Sequence, residues 1–159
     1  YEPLRRAARD QTLSVSLAEA TLLVLAATAL IITIFETVYP AIEAIFPKTA
    51  LQELPEIHSS ALFWFDLSIG LMLTALAEEL VFRRLFYGVL RQYFANPVLF
   101  VLSSAVLFGL IHWSSGFANV ISATIAGMAL MALMLRTGSV IPPIIVHFVS
   151  NFVLFYDPL

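Results

Sequence analysis

Long apolar runs recur along this chain, and they restrict its fold more than any other feature. They cover about Val15–Val38, Ala61–Phe94, Val98–His112, Phe117–Leu135 and Val140–Phe155. A helix needs about 20 apolar residues to cross the hydrocarbon core of a bilayer. Because lipid offers no hydrogen bonds to the backbone, such runs predict helices. The sequence therefore predicts an all-α fold, a polytopic transmembrane helix bundle with about five membrane segments.

The composition supports a membrane protein and argues against other classes. Of the 159 residues, 60% are hydrophobic and only 12% are charged, and the mean hydropathy is +0.93. The net charge of −3 comes without a basic stripe, so we expect no nucleic-acid partner. The absence of cysteine excludes disulfides and cysteine-ligated metals. We expect a multi-pass integral protein of the cell membrane, whose first partner is the lipid bilayer; the sequence predicts no oligomeric state.

The chain divides at about residue 60. Residues 1–60 contain a polar segment, the first span and a loop, and residues 61–159 contain the remaining spans. Pro40 and Pro47 are expected to end the first span. The arginines before that span and Arg136 in "RTGS" predict a cytoplasmic location for both. A helix over Ala61–Phe94 would be about 50 Å long, so it either projects from the bilayer or bends. Because the chain begins with Tyr1, we expect it to be part of a longer protein.

Small residues recur at helical spacing in the fourth span. Such residues let helix backbones approach closely in lipid, so we expect this span to lie at the centre of the bundle. The residues are Ala118, Ser122, Ala123, Ala126 and Gly127.

Strongly polar side chains within the apolar runs are few and fall into clusters. Ionisable groups in a membrane are costly and usually face a cavity or a partner. The clusters are Glu78, Glu79 and Arg83; His112; and His147 with Asn151. We interpret the remaining ionisable residues near span ends as solvated positions: Glu36, His58, Asp66 and Asp157.

The two adjacent glutamates point in different directions on a helix. Glu79 and Arg83 are spaced i, i+4 with the acid first, the favourable order for an intrahelical ion pair. Glu78 has Phe82 at its own i+4 position and gains no such partner. Neighbouring positions differ by about 100° around the helix axis, so the two carboxylates cannot share one role. We therefore predict a structural Glu79–Arg83 pair and an unpaired Glu78 available as a general base.

His147 and Asn151 are also spaced i, i+4 and project from one helical face. Only packing of the bundle brings His112 close to them. A glutamate, two histidines and an asparagine in one cavity form a plausible hydrolytic site, with a base for water and donors for an oxyanion. Taken singly, each cluster also fits a charged helix end, an interfacial histidine or interhelical hydrogen bonds.

The motifs resemble those of a known family. "EELVFR", "FGLIH" and "HFVSN" occur in this order on successive spans and are similar to the motifs of the CAAX protease and bacteriocin-processing family, also called CPBP or Abi. The resemblance covers about Leu62–Phe155. It implies an intramembrane glutamic endopeptidase that acts on proteins or peptides, with or without a prenyl group, and that needs no cofactor.

The resemblance also implies roles for the residues that match the motifs. Glu78 would be the water-activating base, with His112 assisting. His147 and Asn151 would hold the oxyanion of the tetrahedral intermediate. Glu79 and Arg83 would be the supporting ion pair.

Two other functions fit the same residues. The first is a zinc-dependent membrane protease in which His112, His147 and a glutamate bind the metal, although no His-Glu-x-x-His motif is present. The second is a non-catalytic membrane scaffold or bacteriocin-immunity protein that uses the polar cluster for packing or binding. Chelation tests the first, and replacement of Glu78 by glutamine tests the second.

Overall fold

The structure, a computed structural model, describes residues 14–47, 59–93 and 96–156, so His58 and Asp157 lie outside it. Within these ranges the chain forms helices and no strands, which confirms the predicted all-α bundle. The five apolar helices are α1 (Leu17–Ile45), α2 (Ser60–Leu90), α3 (Pro97–Leu110), α4 (Phe117–Thr137) and α5 (Ile141–Phe155). Among them α1, α2 and α4 are long and apolar enough to cross a membrane, while α3 and α5 are shorter.

Local sequence explains where several of these helices begin and end. Ser16 precedes α1, and its side chain accepts a hydrogen bond from the backbone N–H of Glu19. Asn96 caps α3 in the same way, with Pro97 in the first turn, where a missing N–H is harmless. Helix α4 ends at Gly138, whose φ of 71° lies in the left-handed region that glycine adopts without strain.

Helix α1 continues beyond the end that the sequence predicted. We expected Pro40 to end it, but a π-helical turn over Ile34–Val38 leads into a further α-helical segment, Tyr39–Ile45. Pro40 lies inside the continuous helix, directly after the π-helical turn, so the ring removes one backbone hydrogen bond without ending the helix. The prediction for Pro40 was therefore wrong, whereas α1 does end just before Pro47.

Helix α2 is a single run of 31 residues, about 46 Å long at the α-helical rise. π-helical turns interrupt it at Asp66–Gly70 and Leu80–Leu85, and the second turn directly follows the glutamate pair. Such wide turns are frequent at functional sites. In the second turn the hydroxyl of Ser104, on α3, donates a hydrogen bond to the carbonyl oxygen of Phe82 at 3.2 Å.

Helix α4 lies at the centre of the bundle, as its small residues predicted. Half of its most apolar window is buried, 50% against 17% for α1 and 11% for α2. All five small residues named above are buried. At Gly127 a Cβ atom would lie 3.1 Å from the ring of Phe108 and 3.3 Å from the Cα of Ala105. The absence of a side chain at this glycine therefore permits the close approach of α3 and α4.

Two apolar clusters hold the helices together. One joins α1, α4 and α5 through Ile31, Ala126, Leu130, Leu133 and Val146, and the other joins α2, α3 and α4 through Phe82, Phe108 and Ala123. Large apolar side chains cover the outside of the bundle, as expected where lipid replaces water.

The start of α1 and the end of α4 meet at one end of the bundle. The backbone N–H of Ser14 donates to the carbonyl of Thr137 at 2.7 Å, and its hydroxyl donates to the carbonyl of Arg136 at 2.9 Å. The Arg136 side chain also forms an ion pair with Glu19. The start of α1 and the end of α4 therefore lie at the same end of the bundle, as the arginines near them predicted. The cytoplasmic location of that end stays a prediction.

Candidate active site

Glu79 is the centre of a buried polar group that links α2 to α5. Its Oε2 atom lies 3.1 Å from Nε of Arg83, so the ion pair expected from the i, i+4 spacing is present. Its Oε1 atom lies 2.8 Å from Nδ1 of His147. Glu79 and Arg83 are 0% and 1% exposed. Since an ionised carboxylate only accepts hydrogen bonds, Nδ1 of His147 carries the hydrogen, and Nε2 remains for another contact.

Arg83 is held by aromatic rings and by a backbone carbonyl. Its guanidinium carbon lies 4.4 Å from the centroid of the Phe108 ring and 5.9 Å from that of Phe82. Its Nη2 atom donates to the carbonyl oxygen of Gly127 at 3.4 Å. Cation–π contact and charge pairing together offset the loss of hydration. Arg83 therefore links α2 to both α3 and α4 in addition to neutralising Glu79.

Glu78 has a different environment from its neighbour. Its side chain is 21% exposed, and its Oε2 atom lies 3.8 Å from Nε2 of His147, beyond hydrogen-bond distance. This Oε2 atom is buried and has no hydrogen-bond partner among the described residues. Helix α2 thus directs Glu79 into the protein and leaves the carboxylate of Glu78 available for a molecule other than a neighbouring side chain.

His112 lies just beyond the end of α3, in the turn that leads to α4. Its Nδ1 atom is 2.8 Å from the carbonyl oxygen of Phe108. A carbonyl accepts only, so Nδ1 donates, and Nε2 of the neutral ring keeps a free lone pair. The His112 and Phe108 ring centroids are 4.9 Å apart, which places the imidazole against an apolar wall. The orientation leaves Nε2 able to accept a proton or a hydrogen bond.

A cavity of about 990 Å³ joins these groups. Glu78, His112, His147 and Asn151 all line it, from three different segments of the chain. Glu79 and Arg83 are not among the lining residues and support the wall from behind. The structure therefore brings the four predicted site residues to one space. Their catalytic roles stay predictions.

The sequence interpretation did not place several further polar side chains that line the cavity: Glu36, Tyr39, Thr74, Ser115, Asn119 and Ser150. Helical spacing offered a signal for Ser150, three residues after His147, and for Thr74, four residues before Glu78. Glu36 was an ionisable residue in an apolar run, the pattern that normally indicates function, but we interpreted it as solvated. Glu36 is exposed, as expected for a solvated residue, and it also lines the cavity.

The zinc-protease alternative needs three metal ligands that lie close together. Across residues 14–47, 59–93 and 96–156, no three histidine or acidic side chains form a group that would hold a metal ion. The zinc alternative thus has no ligand group among these residues to support it, and chelation tests it directly.

Comparison with protein-family models identifies the family of this chain. The family model described as "Type II CAAX prenyl endopeptidase Rce1-like" matches residues 60–153, which is more than half of the sequence. The chain belongs to the Rce1-like family. The match starts with α2 and ends within α5, so it contains the whole candidate site except for the wall supplied by α1. Neither the comparison with curated proteins nor that with solved structures gave a match.

Family membership confirms the resemblance on which the sequence interpretation relied. This Rce1-like chain is an integral membrane protein, since three of its helices are long and apolar enough to span a bilayer. Its family is one of CAAX endopeptidases, which are hydrolases that act on proteins or peptides.

Proposed function

We propose that this protein is an intramembrane glutamic endopeptidase of the cell membrane. It hydrolyses peptide bonds of membrane-associated proteins or peptides, with or without a prenyl group, and uses no metal or other cofactor. The observation that carries the proposal is the meeting of Glu78, His112, His147 and Asn151 at one cavity inside an apolar bundle.

Glu78 activates the nucleophile. Its carboxylate takes one proton from a water molecule in the cavity, and the water oxygen forms a bond to the carbonyl carbon of the substrate. Nε2 of His112 accepts a hydrogen bond from the same water and orients it. The C–N bond then breaks as the proton passes from Glu78 to the amide nitrogen. The products are a carboxylic acid and an amine. The Oε2 atom of Glu78 supports this role, since it has no hydrogen-bond partner among the described residues that would compete with the water.

His147 and Asn151 stabilise the negative charge on the carbonyl oxygen. They line the cavity from one face of α5, and donors fixed before the reaction act strongly where water is excluded. The hydrogen bond from Nδ1 of His147 to Glu79 fixes the orientation of the imidazole. Nε2 lies 3.8 Å from Oε2 of Glu78, and it is the His147 atom that contacts the oxyanion.

The test is cleavage of a mixed library of prenylated and unmodified peptides in detergent, read by mass spectrometry. The native protein is compared with Glu78→Gln, each with and without a strong chelator. We expect cleavage that survives chelation and that falls by about 10²–10⁴-fold in the variant. Cleavage abolished by the chelator would support the zinc protease. A folded native protein that cleaves no peptide of either class would support the scaffold.

A further inference from the structure

Glu36 is an ionisable residue inside an apolar helix. Helix α1 is apolar enough to span a bilayer, and Glu36 lies in its π-helical turn, Ile34–Val38. No hydrogen bond or ion pair joins Glu36 to another described residue. It lines the same cavity as Glu78, although α1 lies outside the region that the family model matches. A carboxylate on a cavity wall that pairs with no described residue is available to a charged group of a molecule in the cavity.

Aromatic rings accompany the carboxylate. Phe35 and Tyr39, on either side of Glu36 in the sequence, both line the cavity, and their rings stack with centroids 6.2 Å apart at 22°. A carboxylate beside aromatic faces is the setting that binds ammonium and guanidinium groups. The cavity has a second carboxylate, Glu78, and no lysine or arginine among its described lining residues. Glu36 and Glu78 are therefore the acidic groups of the described lining, and the two histidines that could meet an acidic side chain are used at the reacting bond in the proposed mechanism.

An independent feature indicates that the cavity holds a polar ligand. Ser150 is 1% exposed, lines the cavity, and has a hydroxyl group with no hydrogen-bond partner among the described residues. Buried hydroxyl groups are almost always hydrogen-bonded, and the cavity that Ser150 lines is a place where a water or a polar substrate group can supply the missing bond. The α5 wall thus offers the Ser150 hydroxyl to a polar ligand, and the α1 wall offers the negative charge of Glu36.

We infer that Glu36 is a specificity-determining residue that selects peptide substrates carrying lysine or arginine near the scissile bond. The inference rests on the proposed function, because it names the substrate class of the same cavity. A cationic side chain gains the attraction of Glu36 and contact with the aromatic rings. An acidic side chain at the same position is repelled by the carboxylate of Glu36 and meets no lysine or arginine on the described walls.

The test uses peptides that are identical except for lysine, glutamine or glutamate at one position near the scissile bond. They are cleaved by the native protein, by Glu36→Gln and by Glu19→Gln, in nanodiscs of uncharged lipid. Glu19→Gln is the matched control, since it removes the same charge from the same helix but away from the cavity. We expect Glu36→Gln to lower the lysine-to-glutamate ratio of kcat/KM by about fivefold, the upper range for an accessible ion pair. The change should arise in KM, and the control should keep the native ratio.

A binding measurement separates this inference from the proposed function. The same peptides, with the scissile amide replaced by an uncharged ketomethylene group, are titrated by fluorescence anisotropy. A lysine preference in binding that Glu36→Gln removes would support the inference even if no variant cleaved any peptide, an outcome that refutes only the protease. If the native protein cleaves the peptides and Glu36→Gln has the same lysine-to-glutamate ratio of kcat/KM, the charge selection is refuted and the protease function is not. If the native protein neither binds nor cleaves the peptides, both are refuted.

Discussion

The adjacent residues Glu78 and Glu79 offer a sharp test of the site. Replacing either one by glutamine removes one negative charge and keeps the shape of the side chain. The two environments differ. Glu79 is fully buried, 3.1 Å from Nε of Arg83 and 2.8 Å from Nδ1 of His147. Glu78 is 21% exposed, and its Oε2 atom has no hydrogen-bond partner among the described residues.

The predicted magnitudes follow from these contacts. Glu79→Gln leaves the guanidinium of Arg83 buried without its counter-charge, and breaking a buried pair in this way costs about 3–5 kcal/mol of unfolding free energy. Glu78→Gln breaks no hydrogen bond to a described residue and removes only a 3.8 Å contact with Nε2 of His147, so its effect on stability should stay within about 1 kcal/mol. Its effect on peptide cleavage should instead be a loss of about 10²–10⁴-fold, the contribution of a general base.

The assay is reversible unfolding in mixed micelles of a mild detergent and sodium dodecyl sulfate, followed by far-ultraviolet circular dichroism, with cleavage measured on the same samples. The double variant Glu79→Gln with Arg83→Met serves as the control. Removing both charges avoids leaving one unpaired, so the double variant should be more stable than Glu79→Gln alone. A loss that is merely additive would refute the coupling of the two charges.

The opposite pattern would refute the assignment of the two carboxylates. If Glu78→Gln lost as much stability as Glu79→Gln, Glu78 would be a structural residue. If Glu79→Gln kept native stability but lost cleavage, the general base would be Glu79. Either result would require a different mechanism for the cavity.

Further predictions concern the cavity wall and the helix packing. Ser150→Ala should raise KM about tenfold, the equivalent of one hydrogen bond to the bound peptide, with kcat and stability little changed. Ser122 also has a buried hydroxyl with no hydrogen-bond partner among the described residues, but it does not line the cavity, so Ser122→Ala should keep the native KM. Equal effects of the two substitutions would refute a contact between Ser150 and the peptide. Gly109→Ala should destabilise the protein by about 1–3 kcal/mol, because its Cβ would lie 2.5 Å from the carbonyl oxygen of Val120 on α4. Gly88→Ala, with no atom within 4 Å of the added Cβ, should be neutral or stabilising in the same unfolding assay, and a similar loss in both variants would contradict the steric argument.

Local spacing predicted much of this protein correctly. The apolar runs predicted the five helices because continuous, non-alternating apolar segments can satisfy their backbone hydrogen bonds in a bilayer only as helices. The i, i+4 spacing predicted the Glu79–Arg83 ion pair, since neighbours on one helix face meet wherever that helix lies. The small residues of α4 predicted its central position in the same way. The continuation of α1 past Pro40 was missed, because a π-helical turn depends on packing that no residue pattern in that segment reveals.

Contacts between helices were decided only by the tertiary structure. The bond between His147 and Glu79 joins residues 68 positions apart, and no spacing rule reaches that far. The sequence also treated Glu36 as solvated, whereas packing of α1 beside α4 and α5 places it on the cavity wall. The sequence by itself thus determined the helices and the polar groups on each face, because these depend on near neighbours. Only the packing of the bundle decided which helix faces enclose one cavity, because that arrangement depends on side-chain contacts between residues far apart in the sequence.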